Sequence, residues 1–265
     1  MCQLLGLAFN ESINASLSFR GFRHRASGNP HGWGLATYNG AVASIMKEPR
    51  RADRSDVAET LVNNQQLAST IMIGHVRYGN VGGVSLENTH PFVQKLRRKD
   101  FVLAHNGTLE KNELKPFLDG QFTPTGTTDS ELVLCVLLTW MITKNVAFTD
   151  FVRIQERLHE LNRFGNMNLL FSEGQHLFAY HDSRATNGLC FTHRKAPFSC
   201  VTLCDEDWTA DLPQEKSPSQ HGYIIATKPL THGENWSKFK PGQLIVFKNG
   251  ESVFGRPPSV VDGCR

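Results

Sequence analysis

The chain has 265 residues, 40% apolar and 20% charged, with a formal net charge of +3. That length can bury one large core or two small ones, and so slight a positive charge argues against nucleic-acid binding. No run of about 18 apolar residues is present, which argues against a membrane helix.

The start lacks a basic region followed by an apolar stretch, so no signal peptide is expected. Six cysteines without regular spacing point to reduced thiols and a cytoplasmic setting.

In chain order, residues 2–8 read as a buried strand. The basic clusters at 20–25 and 95–99 read as solvated faces or loops. Residues 33–38 and 41–46 flank Asn39-Gly40 and read as a hairpin with a two-residue turn. A helix is expected over 55–67, and the short apolar runs 70–76 and 101–104 suit central strands. Thr128 and Glu131 are spaced as a capping box heading a helix over 129–143. Phe151, Ile154, Leu158 and Leu161 fall on one face of a further helix over 149–163. Strands are expected at 167–171, 176–180, 188–191, 223–227 and 244–248, the last turned by Asn249-Gly250 into 251–254. The polar stretch 205–220 reads as a surface loop and 257–265 as a loose tail.

This order of strands, helix, strands, two long helices and strands suits an α+β fold of two packed sheets with helices outside. It lacks βαβ repeats, and Gly79, Gly82 and Gly83 do not follow the dinucleotide fingerprint. Cys190, His193, Cys200 and Cys204 match no zinc spacing, and the alternation over 198–204 reads as a strand, so no metal is expected.

Four short motifs bear on chemistry. Met1-Cys2 comes first, because methionine aminopeptidase removes Met before small side chains. A cysteine left at the terminus carries a thiol and a free amine, with reference pKa values of about 8.5 and 7.7–8. That amine can accept the thiol proton near neutral pH. The plain alternative is the start of a buried strand.

Arg77, in Gly74-His75-Val76-Arg77-Tyr78-Gly79-Asn80, is either a strand-edge residue or a fork for a carboxylate. Asn106-Gly107, after His105, is either a turn or an oxyanion hole built from a side-chain amide and a backbone N–H. Asp129, in Thr127-Thr128-Asp129-Ser130-Glu131, either sits on the helix dipole or accepts hydrogen bonds from a substrate ammonium. Together, an anion-binding Arg and a cation-binding Asp would recognise an α-amino acid head group.

Taken in this order behind Met1-Cys2, the motifs resemble those of the class II glutamine amidotransferases. Asn88-Thr89-His90-Pro91 completes the set, and Pro30-His31-Gly32-Trp33-Gly34 and Ala196-Pro197-Phe198 resemble the single-domain YafJ-type branch. The resemblance covers residues 1–254 as one domain and leaves 255–265 as a tail. It implies a four-layer αββα sandwich of the N-terminal nucleophile hydrolase type. By the same resemblance Cys2 would be the nucleophile and its amine the base. Asn106 and Gly107 would form the oxyanion hole, Arg77 would hold the substrate carboxylate, and Asp129 the ammonium. One departure stands out: synthase-linked members carry Arg-Trp-Ala-Thr-His-Gly where this chain has Arg77-Tyr78-Gly79-Asn80-Val81-Gly82. Their lid and ammonia transfer therefore do not carry over.

The expected activity is hydrolysis of the γ-glutamyl amide bond of glutamine or a γ-glutamyl compound, with no metal, nucleotide or organic cofactor. The branch also includes amidohydrolases of glutathione-like compounds. The alternative is a glutaminase subunit that delivers ammonia to a separate synthetase partner. A catalytically dead sensor of γ-glutamyl compounds and an acylase of penicillin- or bile-type amides are the competing classes. Neither accounts for an intact Cys2 together with the Arg77 and Asp129 pair.

Overall fold

The computed structural model describes residues 1–63 and 67–255. Its strands are β1 (Gln3–Asn14), β2 (Trp33–Asn39), β3 (Val42–Glu48), β4 (Ala68–Val76), β5 (Phe92–Leu96), β6 (Lys99–Leu109), β7 (Gly165–Ser172) and β8 (Leu177–Tyr180). After these come β9 (Cys190–Arg194), β10 (Cys200–Leu203), β11 (Thr209–Asp211), β12 (Gly222–Ala226), β13 (Thr231–His232), β14 (Ser237–Lys238), β15 (Leu244–Lys248) and β16 (Glu251–Phe254). The helices are α1 (Ser16–His24), α2 (Asp56–Asn63), α3 (Lys111–Leu114), α4 (Asp129–Thr143), α5 (Phe151–Asn162) and α6 (Leu212–Glu215).

One sheet has seven strands in the order β14-β9-β12-β1-β4-β2-β3, and the other has six in the order β16-β15-β8-β7-β6-β5. Side chains alternate across a strand, so a sheet buried on both faces needs apolar residues at consecutive positions. β1 does this: Leu4 and Ala8 point between the sheets, and Leu5 and Leu7 point to the outer helices. The inner layer joins Leu4, Ile71 and Ile73 of the first sheet to Val102, Ala104, Leu170 and Ile245 of the second. Outside the first sheet, Phe19 and Phe22 of α1 and Leu61 of α2 pack on Leu5, Leu7 and Trp33. Outside the second, α4 and α5 place Val133, Leu137, Ile154 and Leu158 on Leu103, Leu169 and Phe178. The result is the four-layer αββα sandwich that the resemblance implied.

Several local expectations shift. β6 runs unbroken to Leu109, so Asn106-Gly107 form no turn; they lie opposite Asn168 and Met167 of β7. The first hairpin turns one residue later than expected: Asn39 pairs with Val42, and Gly40 takes φ +62. The cluster at 20–25 is not a solvated face. It lies on α1 and the turn after it, where Arg23 is buried and pairs with Glu59 and Arg25 pairs with Asp205 at 2.8 Å. The stretch 205–220 is more than a loop. It supplies β11 to a small sheet, β11-β10-β13, and then forms α6; Val201 and Ala210 of that sheet and Leu212 of α6 pack on Leu17. The expected helix over 55–67 is observed as α2, and residues 64–66 lie outside the described residues, as does the expected tail at 257–265. Cys190 and His193 stand on β9, where the Cys190 thiol donates to the Ala226 carbonyl at 3.3 Å and His193 stacks on Tyr223.

Candidate active site

Cys2 immediately precedes β1, and Gln3 pairs with Val76 at the end of β4. Arg77 and Tyr78 continue past that pairing and therefore lie beside Cys2. The Tyr78 N–H donates to the Cys2 sulfur at 3.2 Å, and the thiol can donate to the Tyr78 carbonyl at 3.4 Å. Burial pushes the Cys2 thiol up, against the opposing pull of the Tyr78 N–H, the Met1 ammonium and Arg77.

The second sheet brings its residues to the same end. Asn106 Nδ2 donates to the Cys2 carbonyl at 2.8 Å, and Asn106 is almost fully buried. Next to it, Gly107 runs so close to β7 that a methyl group there would collide with the Asn166 carbonyl. The position admits glycine alone.

Asp129 opens α4. Its Oδ2 accepts from the Leu109 N–H at 2.7 Å, tying the helix start to the end of β6. Thr128 caps the helix by accepting from the Glu131 N–H at 3.2 Å. The expected box is half-formed, because the Glu131 carboxylate accepts from the N–H groups of Thr125 and Gly126 instead of reaching back to Thr128.

Arg77 is 2% exposed, so it is not a solvated edge residue. Its guanidinium donates to the carbonyls of Val81 at 2.8 Å, Gly83 at 3.2 Å and Gly82 at 3.3 Å. Asn88 secures the same loop: it donates to the Gly83 carbonyl at 3.2 Å and accepts from the Thr127 N–H at 2.8 Å. On the other side, His31 Nδ1 accepts from the Gly79 N–H at 2.9 Å.

Two recesses meet at Cys2. The first, about 10 Å³, is lined by Cys2, Arg77, Gly107 and Asp129 among others. That is room for about one water. The second, about 200 Å³, is lined by Cys2, Tyr78, Asn80, Asn106, Thr108, Asn166, Thr186 and Asn187 among others. Apart from Cys2, these lining side chains carry no titrating group except the Tyr78 phenol. All five residues expected in the site therefore meet at one end of the sandwich.

Three buried histidines stand at the first recess, His90 and His105 lining it and His75 stacked behind His90. His75 stacks on His90 with ring centres 4.0 Å apart, and His75 Nε2 faces the His105 carbonyl at 3.1 Å. His105 Nδ1 faces the Ser130 hydroxyl at 2.8 Å. Burial pushes His75 down to about 3, and His90 and His105 also fall below the ordinary value. The three rings are neutral near pH 7 and leave Asp129 and Arg77 as the charged groups of that recess. Among the described residues, no cluster of three His, Cys, Asp or Glu side chains could hold a metal ion.

A family model described as class-II glutamine amidotransferases matches residues 1–262. The chain belongs to this family. A Methanocaldococcus jannaschii protein without an assigned activity is 42% identical over 256 residues, spanning 96% of this chain and 71% of its own length. The Escherichia coli (strain K12) protein YafJ, named as a glutamine amidotransferase, is 36% identical over 262 residues, 96% of this chain and 100% of its own. A Pseudomonas aeruginosa structure, described as a glutamine amidotransferase, superposes with TM-score 0.67 at 29% identity, covering 96% of this chain and all of that one. The Bacillus subtilis glutamine phosphoribosylpyrophosphate amidotransferase superposes with TM-score 0.65 at 19% identity over 48% of its length, which speaks to the fold alone. The protein is thus an enzyme of the glutamine amidotransferase class, with glutamine amide hydrolysis as the family's shared reaction. No described helix is long and apolar enough to cross a membrane.

Sequence reasoning missed part of this amidotransferase site. Asn80 lies on the loop after β4 and Asn166 at the start of β7, and Thr186 and Asn187 on the segment after β8 carried no sequence signal. His31 and Asn88 fell within quoted motifs, Pro30-His31-Gly32 and Asn88-Thr89-His90-Pro91, without a role.

Proposed function

We propose that the protein hydrolyses the γ-glutamyl amide bond of glutamine or a γ-glutamyl compound through a Cys2 thioester, releasing glutamate and ammonia or an amine. The observation that carries this reading is the meeting of the Cys2 thiol, the Asn106 amide, Arg77 and Asp129 at one end of the sandwich.

With Met1 removed, the Cys2 amine takes the thiol proton and the sulfur attacks the γ-carbonyl carbon. The new C–S bond leaves a tetrahedral oxyanion facing the second Asn106 N–H and the Gly107 backbone. Collapse breaks the C–N bond, and the Cys2 ammonium returns its proton to the departing nitrogen. Water then loses a proton to the same amine and adds to the thioester, and the C–S bond breaks to give glutamate and the thiol. Because thiol and amine sit on one residue, their titrations belong to the pair.

Arg77 and Asp129 would hold the α-carboxylate and α-ammonium. Their recess of about 10 Å³ has room for about one water, so a head group must enlarge it on binding. The recess of about 200 Å³ beside the thiol supports a leaving amine larger than ammonia. A reducing compartment such as the cytoplasm suits the free Cys2 thiol.

The test combines intact mass with glutamate release. A processed chain that hydrolyses glutamine or γ-glutamyl peptides and takes a single 6-diazo-5-oxonorleucine label on Cys2 is the expected result. A processed chain with neither label nor turnover overturns the reading. Turnover that appears only with a second chain would mark a glutaminase subunit.

A further inference from the structure

We infer that Asn187 is a positioning residue for the reaction: its side-chain amide, with the Cys2 carbonyl, holds the Asn106 amide in the one orientation that points its N–H end at Cys2. The inference rests on the reading of Asn106 as the oxyanion donor. Asn187 Nδ2 donates to Asn106 Oδ1 at 3.1 Å, and Asn106 Nδ2 donates to the Cys2 carbonyl at 2.8 Å. A flipped Asn106 would set two amide nitrogens against each other at one end and two oxygens at the other. The Cys2 carbonyl can only accept and so rejects the flip, and the Asn187 bond reinforces the same orientation, which leaves the second Asn106 N–H free for a developing oxyanion. Asn106 and Asn187 are both buried, so solvent offers little substitute for a lost partner.

Asn187 is itself held through its backbone, not its side chain. Its carbonyl accepts from Asn168 Nδ2 at 3.1 Å and faces His181 Nε2 at 3.0 Å. Asn168 stands directly across the β6–β7 ladder from Asn106. Asn168 Oδ1 accepts from the Asp182 N–H at 2.7 Å. Asp182 pins the rest of the segment, accepting from Asn162 Nδ2 at 2.7 Å and from the Thr186 N–H at 3.0 Å. Trimming the Asn187 side chain leaves every one of these bonds in place, so the loop should persist while the Asn106 amide is released.

The test compares full-length Asn187→Ala and Asn187→Asp with the parent for glutamate release from glutamine. kcat and KM are measured from about pH 8 to pH 5. The alanine variant should lose roughly tenfold in kcat with KM little changed, a fraction of the loss from deleting an oxyanion donor. In the aspartate variant a carboxylate opposes Asn106 Oδ1 and draws the amide round, so kcat at neutral pH should fall by about a hundredfold. As pH drops, that carboxyl gains a proton and can donate to Oδ1 again, and the variant-to-parent ratio of kcat should climb. A merely structural role would leave the ratio flat with pH and lower the melting temperature of both variants. An alanine variant with unchanged kcat, or a flat aspartate ratio, overturns the inference. If the aspartate variant does not fold, the split between kcat and KM in the alanine variant decides. A parent that releases no glutamate overturns the reading of Asn106 itself, whereas an active parent with unaffected variants overturns this inference alone.

Discussion

The sulfur of Cys2 lies 3.2 Å from the backbone nitrogen of Tyr78 and 3.4 Å from its carbonyl oxygen. One residue beyond β4 thus offers the thiol a donor and an acceptor, and both come from main chain that a Tyr78 substitution would keep. A thiolate accepts from the N–H but gains nothing from the carbonyl. Tyr78→Phe should therefore leave thiol reactivity unchanged, as read by alkylation rate against pH.

On the proposed chemistry, Cys2→Ala should lose turnover by about 10⁴-fold or more, since no other group near the carbonyl can form the thioester. The fold should survive, because Cys2 lies outside the three large apolar clusters. Glutamate release and thermal unfolding, measured together, check both halves.

Asn106→Ala should lower kcat by about 10²–10³-fold, the usual loss for one oxyanion donor. Gly107→Ala should be worse in a different way. The added methyl meets the Asn166 carbonyl, so β6 and β7 must separate locally, and both melting temperature and activity should drop.

Asp129→Asn retains an oxygen to accept from the Leu109 N–H, so the helix start should hold. Only the charge is lost. Binding of a free α-ammonium should weaken by about 1.5–3 kcal/mol, roughly 10–150-fold in kcat/KM. The preference for glutamine over N-acetylglutamine should shrink by a similar factor, and a competition assay reads it directly.

Stability should fall as pH is lowered below about 6.5, the ordinary histidine value. Burial holds His75 at about 3 and keeps His90 and His105 depressed, so the folded state refuses protons that the unfolded chain binds. Unfolding then takes up protons, and stability rises with pH across this window. The contribution is complete above about 6.5 and drains away as pH falls toward the folded values, by up to about 1.4 kcal/mol per pH unit for each histidine. Urea titrations at steps from about pH 7.5 to 5 would measure this, with His90→Leu expected to remove about one proton of the uptake. Asp182 belongs to a lower window. Burial works against its charge, but hydrogen bonds from Asn162, Thr186 and Met167 outweigh that and hold its carboxyl below the usual range.

The framework was readable where local chemistry and tertiary packing agree. Asn249 and Gly250 take φ +50 and +77, the left-handed pair that a tight two-residue hairpin demands. Helix α1 was not readable. Two serines and a central glycine give Ser16–His24 weak intrinsic helicity, and the helix is held by Phe19 and Phe22 on the sheet instead. Cys2, Arg77, Asn106, Gly107 and Asp129 stood out because each lies in a compact motif. Asn187 did not, because its meaning comes from Asn106, which is 81 residues away in the chain and stands on β6. No local pattern encodes such a pairing.

The site is split between the two halves of the sandwich: Cys2 and Arg77 adjoin the ends of β1 and β4 in the seven-stranded sheet, and Asn106 and Gly107 stand on β6 of the six-stranded one. Either sheet by itself carries an incomplete set, a thiol with no oxyanion donors or donors with no thiol. Turnover is therefore a gauge of assembly. A chain caught midway through folding, or one whose layers have slipped, would be chemically silent, and recovery of glutamate release after denaturation would time the moment the two sheets close on each other.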